Sequence, residues 1–209
     1  MRYFNLMANS WRRYLPLLLV MILAGCTIIP ESPVSQVYLL PAKPGVATAT
    51  ATKPLNRSLR IAQPNTSQFL AGARIAVQPQ GSEITVYSGA RWSDPTPALL
   101  RNRLIQEFRA HGYFRSVSSD EDNLQADYEL GGDLTSFQSI YQGKQGEVVI
   151  RFDARILRVS DRRVVASRSF VVRQPIEGRN MQLVVKAFGN ASDQLAASMV
   201  NWTTQQVRN

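Results

Sequence analysis

Nucleophiles, bases and metal ligands are scarce in this sequence: one cysteine and one histidine occur in 209 residues. A Ser-His-Asp hydrolase would have to use His111, yet no Gly-x-Ser-x-Gly turn is available to present a serine to it. His111 is expected instead at the exposed end of a helix, where a histidine is favourable beside the C-terminal carbonyls. A zinc site would need further histidine or cysteine. The run Asp120-Glu121-Asp122 has charge enough for calcium but lacks the spaced ligands and the glycine of a calcium loop, so it reads as a solvated turn. Gly143-Lys144 lacks the upstream glycine and downstream Ser/Thr of a phosphate loop, which argues against nucleotide hydrolysis by this chain. No enzymatic activity, metal or cofactor is expected.

Cys26 has a more specific setting. Arg2, Arg12 and Arg13 precede it without an acidic residue, and an apolar run follows them from Tyr14 to Leu23. A charged stretch and then a short apolar one is the pattern of a secretory signal. The run falls well short of the roughly 20 residues that a stable transmembrane helix needs. Leu23-Ala24-Gly25-Cys26 closes it and resembles a lipobox, in which small residues fit the signal-peptidase groove and the thiol is alkylated with diacylglycerol before cleavage. Residues 1–25 are therefore expected to be removed, with Leu23, Ala24 and Gly25 read by the peptidase and Cys26 left as the lipid-bearing first residue. A covalent lipid on Cys26 would be the one attached group. Each buried methylene contributes about 0.8 kcal/mol, so several acyl chains on one residue give a stable anchor. Thr27, rather than an Asp, follows Cys26, which favours the periplasmic face of the outer membrane over retention in the inner one. The mature chain has no second thiol to mispair in an oxidising compartment.

Removing residues 1–25 leaves a length at which a single domain buries close to 70% of its unfolded surface. The net charge of +9 includes the three discarded arginines, so the remainder is less basic but still positive. Nucleic acid is not a partner that this compartment offers. Anionic lipid headgroups stay open as a partner, but acids alternate with the arginines, as in Arg151, Asp153 and Arg155, and no polybasic block occurs, so a mixed, solvated face is the preferred reading of that charge.

The elements that must carry these residues follow from periodicity. Residues 26–35 form a lipidated tether; the nine from Thr27 to Ser35 reach at most about 30 Å. Residues 36–209 form one domain. Gln36–Leu40 reads as a strand stopped by Pro41, and residues 41–54 as a flexible Ala/Thr-rich loop. Ser58–Ala62, Arg74–Gln78 and Glu83–Tyr87 are short β-branched runs. Asp94 or Thr96 would cap a helix opened by proline, with Leu100, Leu104 and Phe108 on its apolar face, Arg101 elsewhere, and Gly112 at its end. Tyr113–Val117 reads as a strand, Ser118–Asn123 as a polar turn, and Ala126–Leu134 as a strand interrupted at Gly131-Gly132. Val148, Ile150, Phe152, Ala154 and Ile156 alternate with charged residues, the pattern of a strand with one core face and one polar face. Val164–Val172 is its hairpin partner. From Met181, Val184, Phe188, Ala191, Leu195, Met199 and Trp202 recur at spacings of three and four, the stripe of an amphipathic helix, which Gly189 weakens midway. Trp92, Phe108, Phe188 and Trp202 read as core, with a lipid groove as the alternative. The sum is an α+β fold: a mixed, largely antiparallel sheet with two main helices packed on one face.

Several stretches together resemble the ABC-type transport auxiliary lipoprotein family. They are the lipobox, Tyr38-Leu39-Leu40-Pro41, Phe69-Leu70-Ala71-Gly72, and Trp92 with Pro95 and Pro97 before Leu99-Leu100-Arg101-Asn102-Arg103-Leu104, followed by the long hairpin and C-terminal helix. The resemblance spans nearly the whole mature chain. It implies an accessory to an MCE-type transport system, docking an MCE-domain protein, with the ABC permease and ATPase on separate chains and self-association left open. The competing reading is a stand-alone lipid or small-molecule carrier with a groove between sheet and helices.

Overall fold

The computed structural model describes residues 35–43 and 54–208. Leu23, Ala24, Gly25, Cys26, most of the tether and residues 44–53 of the Ala/Thr-rich loop lie outside the described residues. Ser35–Asn209 cluster as one compact unit. Its elements run β1 (Gln36–Tyr38), β2 (Leu55–Ile61), β3 (Asn65–Thr66), β4 (Arg74–Gln78), β5 (Thr85–Trp92), α1 (Thr96–His111), β6 (Phe114–Ser119), β7 (Tyr128–Gln142), β8 (Gln145–Arg158), β9 (Arg163–Pro175) and α2 (Met181–Arg208).

Among the described residues the result is an α+β fold with a mixed sheet of nine strands and two helices. β7 is its spine. One edge of β7 takes β8 in an antiparallel ladder from Tyr128 opposite Arg158 to Gln142 opposite Gln145, and β9 continues outward from β8. The other edge takes β2, β3 and β4 in series along its length, all parallel. β6 extends β2, while β5 and then β1 extend β4. The antiparallel ladders are the long ones, because a hairpin brings its strands together at a short turn whereas parallel pairing needs a crossover.

β7 runs well past Leu134, where the sequence suggested an end, and the two glycines do not break it. A Cβ at Gly132 would collide with the Asp153 carbonyl oxygen, and its φ of 153° suits glycine. Gly132 thus lets β7 and β8 approach where a side chain would force them apart. β5 is likewise longer than expected and carries Trp92 at its end, and Ser118 and Ser119 belong to β6 rather than to a turn.

On β8, Val148, Ile150, Phe152, Ala154 and Ile156 are buried on one face, as their alternation requires, and α2 buries Val184, Phe188, Ala191, Leu195, Met199 and Trp202 toward them. α1 and α2 pack on each other, α2 on β8 and β9, and α1 on β6. Fully burying each large apolar side chain contributes about 1.5–3 kcal/mol, which holds the helices to the sheet. Neither expected residue caps α1: Pro95 occupies the position without a side-chain hydrogen bond, and the Thr96 hydroxyl donates to the Gly72 carbonyl, 3.2 Å away, instead. Gly112 ends α1 in the left-handed conformation at φ 63°. Asn180 accepts the Leu183 N–H at 2.9 Å and opens α2. No helix of the described residues is long and apolar enough to cross a membrane.

Candidate functional site

The three short motifs, scattered in sequence, meet at one corner of the domain. β1 lies along β5, with Tyr38 level with Trp92. The Tyr38 carbonyl accepts the Ser93 N–H at 2.8 Å, just before α1. The Gly72 carbonyl at the end of Phe69-Leu70-Ala71-Gly72 accepts both the N–H and the hydroxyl of Thr96, and the next carbonyl, Ala73, accepts the Trp92 N–H at 2.7 Å. The proline-rich start of α1 is thereby held by both other motifs.

The chain leaving β1 then crosses α2. A Cβ at Gly189 would sit 2.6 Å from the Pro41 carbonyl oxygen, so glycine is what permits the crossing. The residue read in sequence as a helix weakness is a docking position. Two residues on, the Lys43 N–H donates to Asp193 Oδ2 at 3.1 Å. The other carboxylate oxygen accepts Arg103 Nε at 2.7 Å, and Arg103 also reaches Glu107 at 2.7 Å. Arg103 and Glu107 are buried, so this pair of charges is removed from water and compensated within the seam between the helices. Asp193, the one acid of α2, ties together both helices and the segment that follows β1. The sequence marks none of these three residues as a buried contact. The available signal was the Arg103–Glu107 spacing of four on α1 and a solitary acid on an apolar helix.

The other candidates have structural occupations. His111 is half-buried rather than at an exposed end; its Nδ1 lies 3.0 Å from the Glu107 carbonyl, and its ring faces Tyr113. The acidic run is not a free turn: Asp120 and Glu121 pair with the buried Arg101 at 3.0 and 2.7 Å, and Asp122 accepts the Ser119 N–H. Glu121 foremost, and then Asp120, raises the already high pKa of Arg101, while burial opposes them. Gly143-Lys144 forms the β7–β8 turn, with Gly143 at φ 63°. Tyr87 joins Ser139 and Tyr141 through its hydroxyl at 2.8 and 3.0 Å, and burial pushes its phenol up, so it stays protonated.

Trp92, Phe108, Phe188 and Trp202 are core residues. Trp92 and Phe188 meet edge-to-face at 5.2 Å, Phe137 stands 5.0 Å from Phe188, and Phe170 meets Trp202 at 5.5 Å. These rings pack against one another in the core between sheet and helices. The outer face of β7, β8 and β9 is polar, with Arg155 paired to Asp133 at 3.1 Å and Arg173 to Glu147.

The profile of the family described as "ABC-type transport auxiliary lipoprotein component" matches residues 38–200, from Tyr38 at the crossing through to α2. The chain belongs to that family. It is 29% identical over 157 residues to the uncharacterized protein bll6063 of Bradyrhizobium diazoefficiens, covering 75% of this chain and 42% of that protein. The chain thus spans less than half the length of that relative. The crystal structure of XCC0632 from Xanthomonas campestris, a DUF330 protein, superposes with a TM-score of 0.76 at 29% identity, over 83% of this chain and 97% of that one. A second solved structure, of an uncharacterized protein, shares the fold at a TM-score of 0.65 and 19% identity, over 81% and 99% of the two chains. The match begins within Tyr38-Leu39-Leu40-Pro41, so the auxiliary family's matched region includes the crossing segment as well as the core.

Proposed function

We infer that this lipoprotein is a non-enzymatic docking component of an MCE-type ABC lipid transport system, anchored through lipidated Cys26 on the periplasmic face of the outer membrane. The observation that carries this reading is the family match across nearly all of the compact unit, joined to the lipobox at Leu23–Cys26. The crossing at Gly189 and Asp193 supports it physically. It holds residues 41–43 against α2 just after β1 has paired with β5, so a force on the tether is borne by the sheet and α2 rather than by a loose end. Partners are an MCE-domain protein and the permease and ATPase chains of the same system. The aromatic-filled interior weighs against a carrier that holds its cargo between sheet and helices.

Affinity purification of the full-length protein from detergent-solubilised envelopes should recover an MCE-domain protein with the permease or ATPase; recovery of none of them would refute the partner assignment. Cys26→Ala should release a folded domain from the membrane fraction. A Cys26→Ala protein that stayed acylated and membrane-bound would sink the anchor assignment.

A further inference from the structure

We propose that the cleft at the tip of the β7–β8 hairpin binds the headgroup and upper acyl chain of an anionic membrane phospholipid. The proposal rests on the Cys26 anchor reading and adds an orientation and a ligand to it. β1 runs parallel to β5 with Gln36 level with Ala90, so the chain reaches Gln36 from the side of the sheet where β5 begins. The same side holds the end of β4, where Val77 lies level with Thr85, and the end of β7, where Ile140 lies level with Gln78. The described chain therefore enters the sheet at this end, which on the Cys26 anchor reading is the end turned toward the membrane.

At this end lies a cleft of about 590 Å³ whose lining includes Ile140, Lys144, Gly146, Glu147, Ile176 and Arg179. Its volume falls within the range of small-ligand sites. The apolar part is firm: Ile176 packs on the core, and its N–H donates to the Gly146 carbonyl at 2.8 Å, joining the hairpin to the β9–α2 loop. The ring of Tyr141 lies over Gly146, filling the place that a side chain there would take.

The charges around the cleft are unequal. Glu147 is paired with Arg173, and the neighbouring Glu177 is paired with Lys186 at 2.9 Å, so both acids are compensated. Lys144 and Arg179 form no salt bridge among the described residues. The uncompensated charge is therefore positive and stands at the rim of an apolar recess. A guanidinium and an ammonium suit phosphate oxygens, and Ile140 and Ile176 suit the first methylenes below a glycerol. Free phosphate would satisfy the cations but leave the apolar wall unused.

The test reconstitutes the full-length lipidated protein into vesicles of equal parts phosphatidylcholine and phosphatidylglycerol, with a trace of phosphatidylglycerol carrying an acyl-chain diazirine. Labelled peptides are located by mass spectrometry. Label should concentrate on peptides spanning 140–147 and 175–179 and persist in excess inorganic phosphate. Basic residues near an anionic surface each strengthen binding about fivefold. Lys144→Gln with Arg179→Gln should then reduce the label at least tenfold, with the thermal midpoint and vesicle retention unchanged. Label concentrated at the opposite end of the sheet, label unaffected by the double variant, or label abolished by free phosphate would each overturn the proposal. Loss of the wild-type protein from the vesicles on a salt wash would instead overturn the anchor reading, and the orientation with it.

Discussion

Acid–arginine pairs occur in two regions of this domain, and they do different things. In the seam between α1 and α2, Arg103 and Glu107 are shielded from water, and the partly buried Asp193 pairs with Arg103 and also holds the backbone of Lys43. On the outer face of the sheet, Arg155 and Asp133 pair with side chains 49% and 41% exposed. The same chemistry serves as a structural lock in one place and as a soluble surface in the other. Burial, rather than charge, separates them: removing one partner from a buried pair strands the other, whereas water takes over for an exposed one.

The largest effect expected from this difference is at Asp193. Asp193→Ala leaves Arg103 with Glu107 alone and the Lys43 amide without its acceptor, and should cost about 1.5–3 kcal/mol, the range for hydrogen bonds to a charged group. Urea unfolding would measure it. Amide exchange at residues 38–43 should accelerate beyond what the global loss explains. A loss under about 1 kcal/mol would place the seam in the same class as the outer face.

Gly189→Ala sets two effects in opposition. In an exposed helix, alanine would stabilise by about 1 kcal/mol. Here the new methyl meets the Pro41 carbonyl oxygen at 2.6 Å, a backbone atom that cannot rotate aside, and overpacking of this kind costs about 1–3 kcal/mol. The contact should win: hydrogen exchange should show residues 38–43 released while α2 stays protected. A net gain in stability with the segment still protected would show that the crossing has room to spare.

These positions mark where the sequence was legible. The alternation on β8 and the three-and-four spacing on α2 announced their buried faces, because one periodic face meeting one core leaves a direct trace in residue type. The order of strands beside β7 left none. β2, β3 and β4 reach it by parallel pairing across long separations, and Asn65–Thr66 is too short to carry a pattern. Nothing in the sequence marks Arg101, Arg103 or Glu107 as buried, since burial of a charge depends on a partner, and for Arg101 and Arg103 that includes one distant in sequence. The motifs Tyr38–Pro41, Phe69–Gly72 and Trp92–Pro97 were visible individually. Their convergence was not, because it is made by backbone hydrogen bonds, which any residue but proline can supply as donors.

Asp127 lies between the two regions in exposure and should lie between them in effect. Its carboxylate accepts the N–H and the hydroxyl of Ser58, both at 2.7 Å, fastening the start of β7 to β2. The Ser58 backbone N–H foremost, then its hydroxyl, with Arg57 and Arg115 adding to them, holds the Asp127 pKa below its ordinary value. Because the folded-state pKa lies below the unfolded one, this contribution is present above the ordinary Asp range and is lost as pH falls through the folded value. Asp127→Asn should cost about 1 kcal/mol at neutral pH, and the difference from wild type should close on acidification below about pH 4. A difference independent of pH would assign the effect to geometry rather than to charge.

The smallest change is expected at Arg155. Its partner Asp133 stands opposite Asp153 across the β7–β8 ladder, and Asp153 in turn accepts a hydrogen bond from Ser169, so the outer face retains polar contacts when Arg155 is removed. Arg155→Ala should change the unfolding free energy by less than about 0.5 kcal/mol, at the low end for exposed pairs, and moderate salt should erase even that. Asp133→Ala and the double variant complete a cycle whose coupling should be near zero. A coupling above about 1 kcal/mol that persisted in salt would mean that the pair is shielded in the working protein, which on this solvent-facing strand requires something covering it. In that event the outer face would be an interface, and Arg155 and Asp133 would belong with Arg103 and Asp193.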